Sequence, residues 1–442
     1  MPQELRHDVI QQIKDQKIEF IHLWFTDVLG FLKAFTMDVA ELEMAMTEGM
    51  GFDGSSIQGF ARIQESDMIA YPDPKTLKIL PWRQSGQAVA TMFCDIVHPD
   101  GTPYEADPRY VLKRQLERAA KMGYTFFVGP ELEYYYFKDD RGTEVLDRGT
   151  YFDQTTRDLA VDLRKDTVRA LKRFGIQVEY SHHEVGPSQH EIDLRYAEAL
   201  NMADNVMTYR VVVKEVAQQN GVYASFMPKP MFGEAGSGMH VHQSLFKDGK
   251  NAFYDANDPF HLSAIAKSYI AGILAHARET CLITNQWVNS YKRLVSGYEA
   301  PVYICWAHRN RSALVRVPMY KPGKENATRV ELRSPDPACN PYLAFAVMLA
   351  AGLDGIEQGL ELAPDVTDDV YEMTQAERDL GGIGTLPGDL DEAIVEMEKS
   401  QMVREALGDQ VFEYILRNKR AEWMNYHTRV TPYELEEYLP LL

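Results

Sequence analysis

Residues 129–137 read GPELEYYYF, and this run decides how much of the chain is to be read. A β-strand sends alternate side chains to the same face, so Glu131 and Glu133 point together. The alternation recurs further on. In HEIDLRY (190–196), Glu191, Asp193 and Arg195 share a face and Ile192 and Leu194 take the other. In GSGMHVHQSLF (236–246), His240, His242 and Ser244 oppose Met239, Val241 and Leu245. In TRVELRS (328–334), Arg329, Glu331 and Arg333 alternate with Val330 and Leu332. One such strand alone would be a half-solvated surface strand. Several of them carry Glu, His and Arg in place of Lys, Thr and Ser, and they sort by sign. That pattern describes the lining of a cavity.

The chemistry of the lining is specific. Glutamates with one imidazole suit hard divalent cations, Mg²⁺ or Mn²⁺. Cys94, Cys281, Cys305 and Cys339 lie far apart with no CxxC pair. This argues against a sulfur-ligated metal site or a disulfide framework and suits a reducing compartment. A zinc-protease reading of His183-Glu184 fails, because the second histidine of H-E-x-x-H is missing. The arginines are the counterpart: residues 308–316 read HRNRSALVR, and Arg329 and Arg333 follow. Guanidinium forks suit phosphate and carboxylate. Acids for metal beside arginines for phosphate is what phosphoryl transfer requires. Arg311 and Arg316 are five apart, so a flat strand would send them to opposite faces unless a bulge or turn intervenes. There is no Walker A sequence and no GxGxxG after a strand, so a nucleotide site here is neither a P-loop nor a dinucleotide fold.

Outward from these strands, 442 residues, 45% of them hydrophobic, favour two domains over one core. The balance of 46 Lys+Arg against 65 Asp+Glu, a formal −19, disfavours nucleic acid and anionic membranes as partners. The N-terminus lacks an apolar signal core, and no run reaches the ~18 apolar residues of a membrane span. Tyr342 to Leu353 reads as a buried helix, and the expected location is cytoplasmic. Residues 4–17 have helical spacing. Ile18 to Met37 reads as β with its turn at Asp27–Gly30, and Ala88 to Val97 as a further strand. The Pro, Gly and Asp of HPDGTPYEADPR (98–109) mark a boundary, giving expected domains 1–101 and 102–442. A helix follows, capped by Asp107 with Pro108 in its first turn and stopped at Gly123. Bland roles are expected elsewhere. His182 and His183 shape the turn before Glu184, residues 134–137 are wall and core, the acidic helix around DLDEAIVEMEKS (389–400) presents a solvated face, and Met44, Met46 and Met50 are packing.

Six long runs together resemble the type I glutamine synthetases, of the shorter α-type: FDGSS (52–56), GPELEYYYF (129–137), HHEVGPSQHE (182–191), GSGMHVH (236–242), NSYKRLVSGYEAP (289–301), and RNRSALVRVP through ELRSPDPACNPYLA (309–344). The resemblance implies an α+β fold, with a small β-grasp-like N-terminal domain. A catalytic domain would follow, built on a curved antiparallel sheet or half-barrel lined by Glu, His and Arg. It implies that Glu133, Glu184 and Glu191 hold one ion near glutamate, and that Glu131, His240 and Glu331 hold a second on the ATP phosphates. Arg293 and Arg333 match glutamate-binding arginines, with the backbone near Gly236 assisting. Arg311 and Arg316 match arginines on the transferred phosphate and the ATP tail. His242, Ser244, Arg329 and Tyr196 match nucleotide contacts. Asp53 matches the residue that deprotonates ammonium, and Glu299 the flap carboxylate, with Tyr151 and Ser56 beside it. Arg62 matches an arginine tied to feedback inhibition by glutamine. Ala235 and Ser296 depart from the family pattern, and Lys321 and Lys324 compete for one lysine position near the nucleotide.

The implied reaction joins ammonia to the γ-carboxylate of L-glutamate at the expense of ATP, through γ-glutamyl phosphate. The implied assembly is a dodecamer of two hexameric rings with active sites between subunits. The rival readings are a ligase that uses a polyamine in place of ammonium, and an inactive regulatory homologue. Asp53 and Glu299 argue against the first and the full ligand set against the second.

Overall fold

The computed structural model describes residues 3–442 apart from 56, 58, 60–66, 83–87, 155 and 298–299. Ser56, Arg62 and Glu299 therefore lie outside the described residues. After a helix at Gln3–Asp15 come β1 (Ile18–Thr26), β2 (Leu32–Asp38), β3 (Met50–Asp53), β4 (Asp67–Pro72), β5 (Lys78–Ile79) and β6 (Ala88–Val97). Their sheet runs β2-β1-β6-β4-β3, with β5 pairing β6. The β1–β2 hairpin closes where expected. Gly30 N donates to Asp27 O at 3.0 Å, and Phe31 N donates to Asp27 Oδ1 at 2.9 Å. Gly30 has φ +88°, a left-handed value that favours glycine at this turn. Parallel β1 and β6 pack Trp24 edge-on against Phe93, with centroids 5.5 Å apart.

The helix Pro108–Lys121 then begins under an Asp107 cap. In its first turn, buried Arg109 joins the two halves of the chain. It bonds Asp73 at 2.8 Å and Asp95 at 2.5 Å from the first sheet, and Asp204 at 3.0 Å from the helix Ala199–Gln219. A buried guanidinium is tolerated only with such complete pairing.

The second sheet is built from β7 (Thr125–Phe137), β8 (Val178–His183), β9 (Gln189–Leu194), β10 (Ala197–Glu198), β11 (Tyr223–Ser225), β12 (Met239–Lys247) and β13 (Lys250–Asn251). After β14 (Tyr303–Ile304), which pairs instead with β18 (Gly384–Thr385), it is completed by β15 (Trp306–His308), β16 (Val315–Val317) and β17 (Val330–Leu332). The order is β15-β16-β17-β12-β7-β9-β8, antiparallel except for β15 with β16. This is the curled half-barrel that the resemblance implies. Its apolar face, with Leu132, Ile192, Met239 and Val241, is fully buried. The helices Ala199–Gln219 and Pro341–Gln358 belong to the same core. The second of these is buried on every side from Pro341 to Leu353. A helix apolar all round needs a core on all sides. No helix among the described residues is long and apolar enough to cross a membrane.

Two expectations are corrected. Met46 is buried, but Met44 is 42% exposed and lies outside the core. Arg195 leaves the polar face, because β9 ends at Leu194 and Arg195 turns to exposed Glu179 at 3.9 Å.

Candidate active site

Strand register assembles the site before any side chain is considered. On β12 and β7, His240 stands opposite Glu131; on β7 and β9, Glu131 is opposite Asp193 and Glu133 opposite Glu191. On β8 and β9, His182 faces Glu191. On the other flank His242 pairs with Glu331, and Glu331 with Arg316. Three rows of charge thus cross the polar face of the curled sheet.

The rows open into two cavities that share Glu131 and Tyr180. One, about 530 Å³, is lined by Glu131, Glu133, Glu184, Glu191, His240 and Glu331 together with Tyr151, Gly236, Arg293, Arg311, Arg316 and Arg333. The other, about 510 Å³, is lined by Tyr196, His242, Ser244 and Arg329, with Phe127, Lys321 and Lys324. Both competing lysines therefore reach the second cavity. The first cavity is mainly polar and the second mainly apolar, a pairing that suits a ligand with an anionic end and a flat apolar end.

In the first cavity the carboxylates cluster in two ways. Glu133 Oε2 accepts from Gly238 N at 2.9 Å and Gln189 Nε2 at 3.0 Å. Burial, and then the neighbouring charge of Glu184, raises the Glu133 carboxyl to about 8. Burial, Asp193 and Glu133 push Glu191 well above the usual carboxylate range. His182, Glu184 and Glu191 bring ligand atoms within 4.8 Å of one another, with His182 Nε2 3.2 Å from Glu191 Oε2. Buried acids that repel one another fit a divalent cation, which would supply the missing positive charge.

The second cluster is compensated. Glu131 accepts from His242 Nε2 at 2.7 Å and lies 3.3 Å from His240 Nδ1. Glu331 pairs with Arg316, with Arg333 at 3.3 Å and with His240 at 3.5 Å. Burial opposes ionisation here too, yet the two histidines hold Glu131 well below its ordinary value. They and the two arginines hold Glu331 below its own. The atoms that converge within 4.8 Å belong to Glu131, His242 and Glu331, so His242 stands closer to this cluster than the sequence implied. Carboxylate and imidazole donors suit Mg²⁺ or Mn²⁺.

The arginines are placed by backbone. A turn at Arg311–Leu314 re-aims the chain, and Ser312 N donates to Asn310 Oδ1 at 3.0 Å within it. Arg311 and Arg316 consequently line one cavity although they are five apart. Buried Arg293 donates to Ser334 O at 2.6 Å and Pro335 O at 3.2 Å. It packs so tightly on the Gly236–Gly238 loop that a Cβ on Gly238 would lie 2.6 Å from its Nη2. Tyr135 hydroxyl donates to Ala235 O at 2.6 Å, so a backbone atom ties that loop where the side chain departs from the family pattern. Ser296 Oγ accepts from the Tyr303 hydroxyl at 3.4 Å. Tyr371 lines the cavity and donates to Ala300 O at 3.0 Å.

Asp53 is not brought to the site. It is exposed at the end of β3, and among the described residues none that lines either cavity comes from the first sheet. Sequence reading missed His182, although Tyr180 and His182 alternate on β8 as the glutamates do on β7. It gave Asp193 a face but no role, and Asp193 lines the second cavity beside Tyr180.

Comparison with known proteins agrees with this geometry. Residues 17–99 match the family model described as glutamine synthetase, beta-Grasp domain, and residues 105–438 that of glutamine synthetase, catalytic domain. The chain is 56% identical over 439 residues to a glutamine synthetase of Mycolicibacterium smegmatis, covering 98% of each. It is 52% identical to one of Methanosarcina mazei, covering 99% of this chain and 98% of the relative. A solved structure described as a GmaS/ADP complex superposes with TM-score 0.90 at 31% identity, covering 98% of this chain and 99% of that one. Plasmodium falciparum glutamine synthetase superposes with TM-score 0.87 at 25% identity, covering 98% of each chain. With a β-grasp sheet, a curled catalytic sheet and these relatives over its whole length, the chain belongs to the glutamine synthetase family and carries out ATP-dependent glutamine synthesis.

Proposed function

We propose that the two cavities are the glutamate and ATP ends of one site, meeting at Glu131. The observation that carries this is the strand register, which sets Glu131 between the carboxylates and the Arg316–Glu331–His242 row. Glu133, Glu184 and Glu191 would hold one divalent ion, Mg²⁺ or Mn²⁺, and Glu131, His240 and Glu331 a second. When bound, such ions neutralise phosphate and carboxylate charge. Arg293 and Arg333, with the Gly236 backbone and Tyr151, hold glutamate. His242, Ser244, Arg316, Arg329 and Tyr196 hold ATP. Arg311 faces the transferred phosphoryl group. The γ-carboxylate oxygen of glutamate attacks the γ-phosphorus and ADP leaves. Ammonia then attacks the acyl carbon and phosphate leaves. The fixed arginines offset the repulsion between two anions.

Asp53 and Glu299 are the proposed ammonium-binding acids, with Ser56 beside them and Arg62 as a feedback contact for glutamine. Since Asp53 does not reach the cavity of its own chain, a second copy supplies it. This is the support for the proposed dodecamer of stacked hexameric rings with sites between subunits. Exposed Tyr433, Leu435, Leu439, Leu441 and Leu442 also leave an apolar C-terminal edge suited to burial against another copy. The proposed domains are 1–101 and 102–442, and the proposed compartment is the cytoplasm. The test supplies purified protein with ATP, Mg²⁺, glutamate and either ammonium or a polyamine, and measures phosphate and amide product. Ammonium-dependent phosphate release is expected, and none at all would overturn the assignment.

A further inference from the structure

Behind the turn that carries Glu184 lies a buried polar cluster outside both cavity linings. Asp147, His183 and His190 bring ligand atoms within 4.8 Å of one another. The Asp147 and His183 side chains are 1% and 0% exposed. Such a cluster is either another cation site or a hydrogen-bonded brace, and the partners of the rings decide between them. His190 Nδ1 lies 2.9 Å from Arg164 Nη1. A guanidinium only donates, so that nitrogen keeps its lone pair for Arg164, which is itself held by buried Asp158. His183 Nε2 lies 2.9 Å from Asp147 Oδ1, and His183 Nδ1 lies 2.6 Å from Glu184 O. Both partners are acceptors, so both His183 nitrogens carry hydrogen and neither has a lone pair for an ion. The cluster is a brace, in which the His183 ring bridges the Asp147 carboxylate to the backbone of Glu184.

Asp147 holds the other end of the same turn. Its Oδ1 accepts from Ser188 N at 3.1 Å, and Ser188 Oγ accepts from Leu146 N at 2.7 Å and Asp147 N at 2.9 Å. Ser188 sits at φ +57°, a strained value for a residue with a side chain, and these bonds stabilise it. Phe152 N donates to His183 O at 3.1 Å, which hangs the Tyr151 segment on the same strand end. The space is full: a Cβ on Gly149 would lie 2.5 Å from His183 Nε2. We propose that Asp147, acting through His183, is a positioning residue that fixes the backbone from which the Glu184 carboxylate enters the glutamate-side cluster. The inference rests on the two-ion reading above and adds a residue pair that touches neither ion nor substrate. Partners of this kind orient ligands, and their loss weakens metal affinity by roughly 10–100-fold.

The test is Mn²⁺ binding to metal-stripped protein, followed by electron paramagnetic resonance. The variants are His183→Asn, whose amide nitrogen keeps only the bond to Glu184 O, His183→Gln, which keeps only the bond to Asp147, and His183→Phe. Glu184→Ala and Glu331→Ala mark the two sites. Each His183 variant is expected to weaken about 10–100-fold the ion that Glu184→Ala removes, and to spare the ion that Glu331→Ala removes. The KM for glutamate should rise while that for ATP holds. If the His183 variants fail to fold, Gly149→Ala pushes the same ring aside without removing it and is read the same way. Equal weakening of both ions, or unchanged binding of both in folded His183→Phe, overturns the inference while leaving the two-ion reading intact. If Glu184→Ala and Glu331→Ala do not remove different ions, the two-ion reading itself fails and takes the inference with it.

Discussion

The two halves of the polar face solve the problem of buried charge in opposite ways. At the glutamate end, Glu133, Glu184 and Glu191 crowd together with no arginine in an ion pair with them among the described residues, and burial and neighbouring carboxylates raise Glu133 and Glu191 although Arg293 works against the rise at Glu133. At the ATP end, Glu331 is only 1% exposed yet is met by Arg316, Arg333 and His240, and its carboxyl is lowered. The first half is built around a charge it does not own. The second carries its own countercharge, so its arginines are already in place for phosphate. A phosphate entering there meets guanidinium groups held by Glu331 and competes with that carboxylate for them. Ion and nucleotide binding at this end should therefore be mutually dependent.

The largest effect is expected from removing the hinge of the compensated half. Glu331→Ala deletes a ligand and frees two arginines, and turnover should fall by about 10³-fold or more while the fold persists. Unaltered turnover would contradict the assignment of Glu331.

The next effect separates the halves by sign. Glu331→Gln leaves Arg316 and Arg333 facing a neutral amide in a buried place, and breaking such a pair costs about 3–5 kcal/mol. Glu191→Gln replaces a carboxyl that burial already drives toward its neutral form, so the metal-free protein should melt above the wild type. In turn it should lose the part of the Mn²⁺-dependent rise in melting temperature that the glutamate-side ion gives the wild type, a linkage worth about 2.7 kcal/mol at a hundredfold excess over that ion's dissociation constant. Thermal melts with chelator and with Mn²⁺ measure both. Equal destabilisation by the two substitutions would erase the contrast.

Much of this contrast was legible in the sequence, because alternation along a strand is local and the register of neighbouring strands preserves it. Glu131 with Glu133, His240 with His242, and Glu331 with Arg333 each share a face for that reason alone. What escaped depends on where strands stop and turn. Arg195 belongs to the alternation by count, but β9 ends one residue earlier. Arg311 joins Arg316 only because an Asn310 side chain caps a turn between them. His182 was read as part of a turn, whereas β8 extends through His183 and sets His182 opposite Glu191. Asp53 ends β3 in the first sheet and is exposed there, so its place in the sequence motif and its place in the fold of one chain do not coincide with the cavities. The β-grasp sheet was legible only in its strands β1, β2 and β6, since the short strands β3 and β5 carry little periodic signal.

A compensated cluster outside the cavity provides the control and the smallest effect. His276 lies between Glu279 at 3.0 Å and Asp354 at 2.9 Å, bracing the helix Ala277–Thr284 against Pro341–Gln358. The hydrogen bond to Glu279 raises the imidazole above its ordinary value, burial works against it, and Asp354 adds to the rise. A histidine raised on folding contributes stability that is fully present below its unfolded value of about 6.5 and is lost as pH climbs through the folded one. Melting temperature in saturating Mn²⁺, which holds the glutamate-end carboxylates ionised, should therefore fall by a few degrees as the pH rises from about 6.5 through the raised folded value. His276→Gln should flatten that slope and lower the melting temperature at acidic pH, without changing the Mn²⁺-dependent rise. If the slope survives in the variant, the pH dependence does not arise at His276 and its assignment to this helix brace fails.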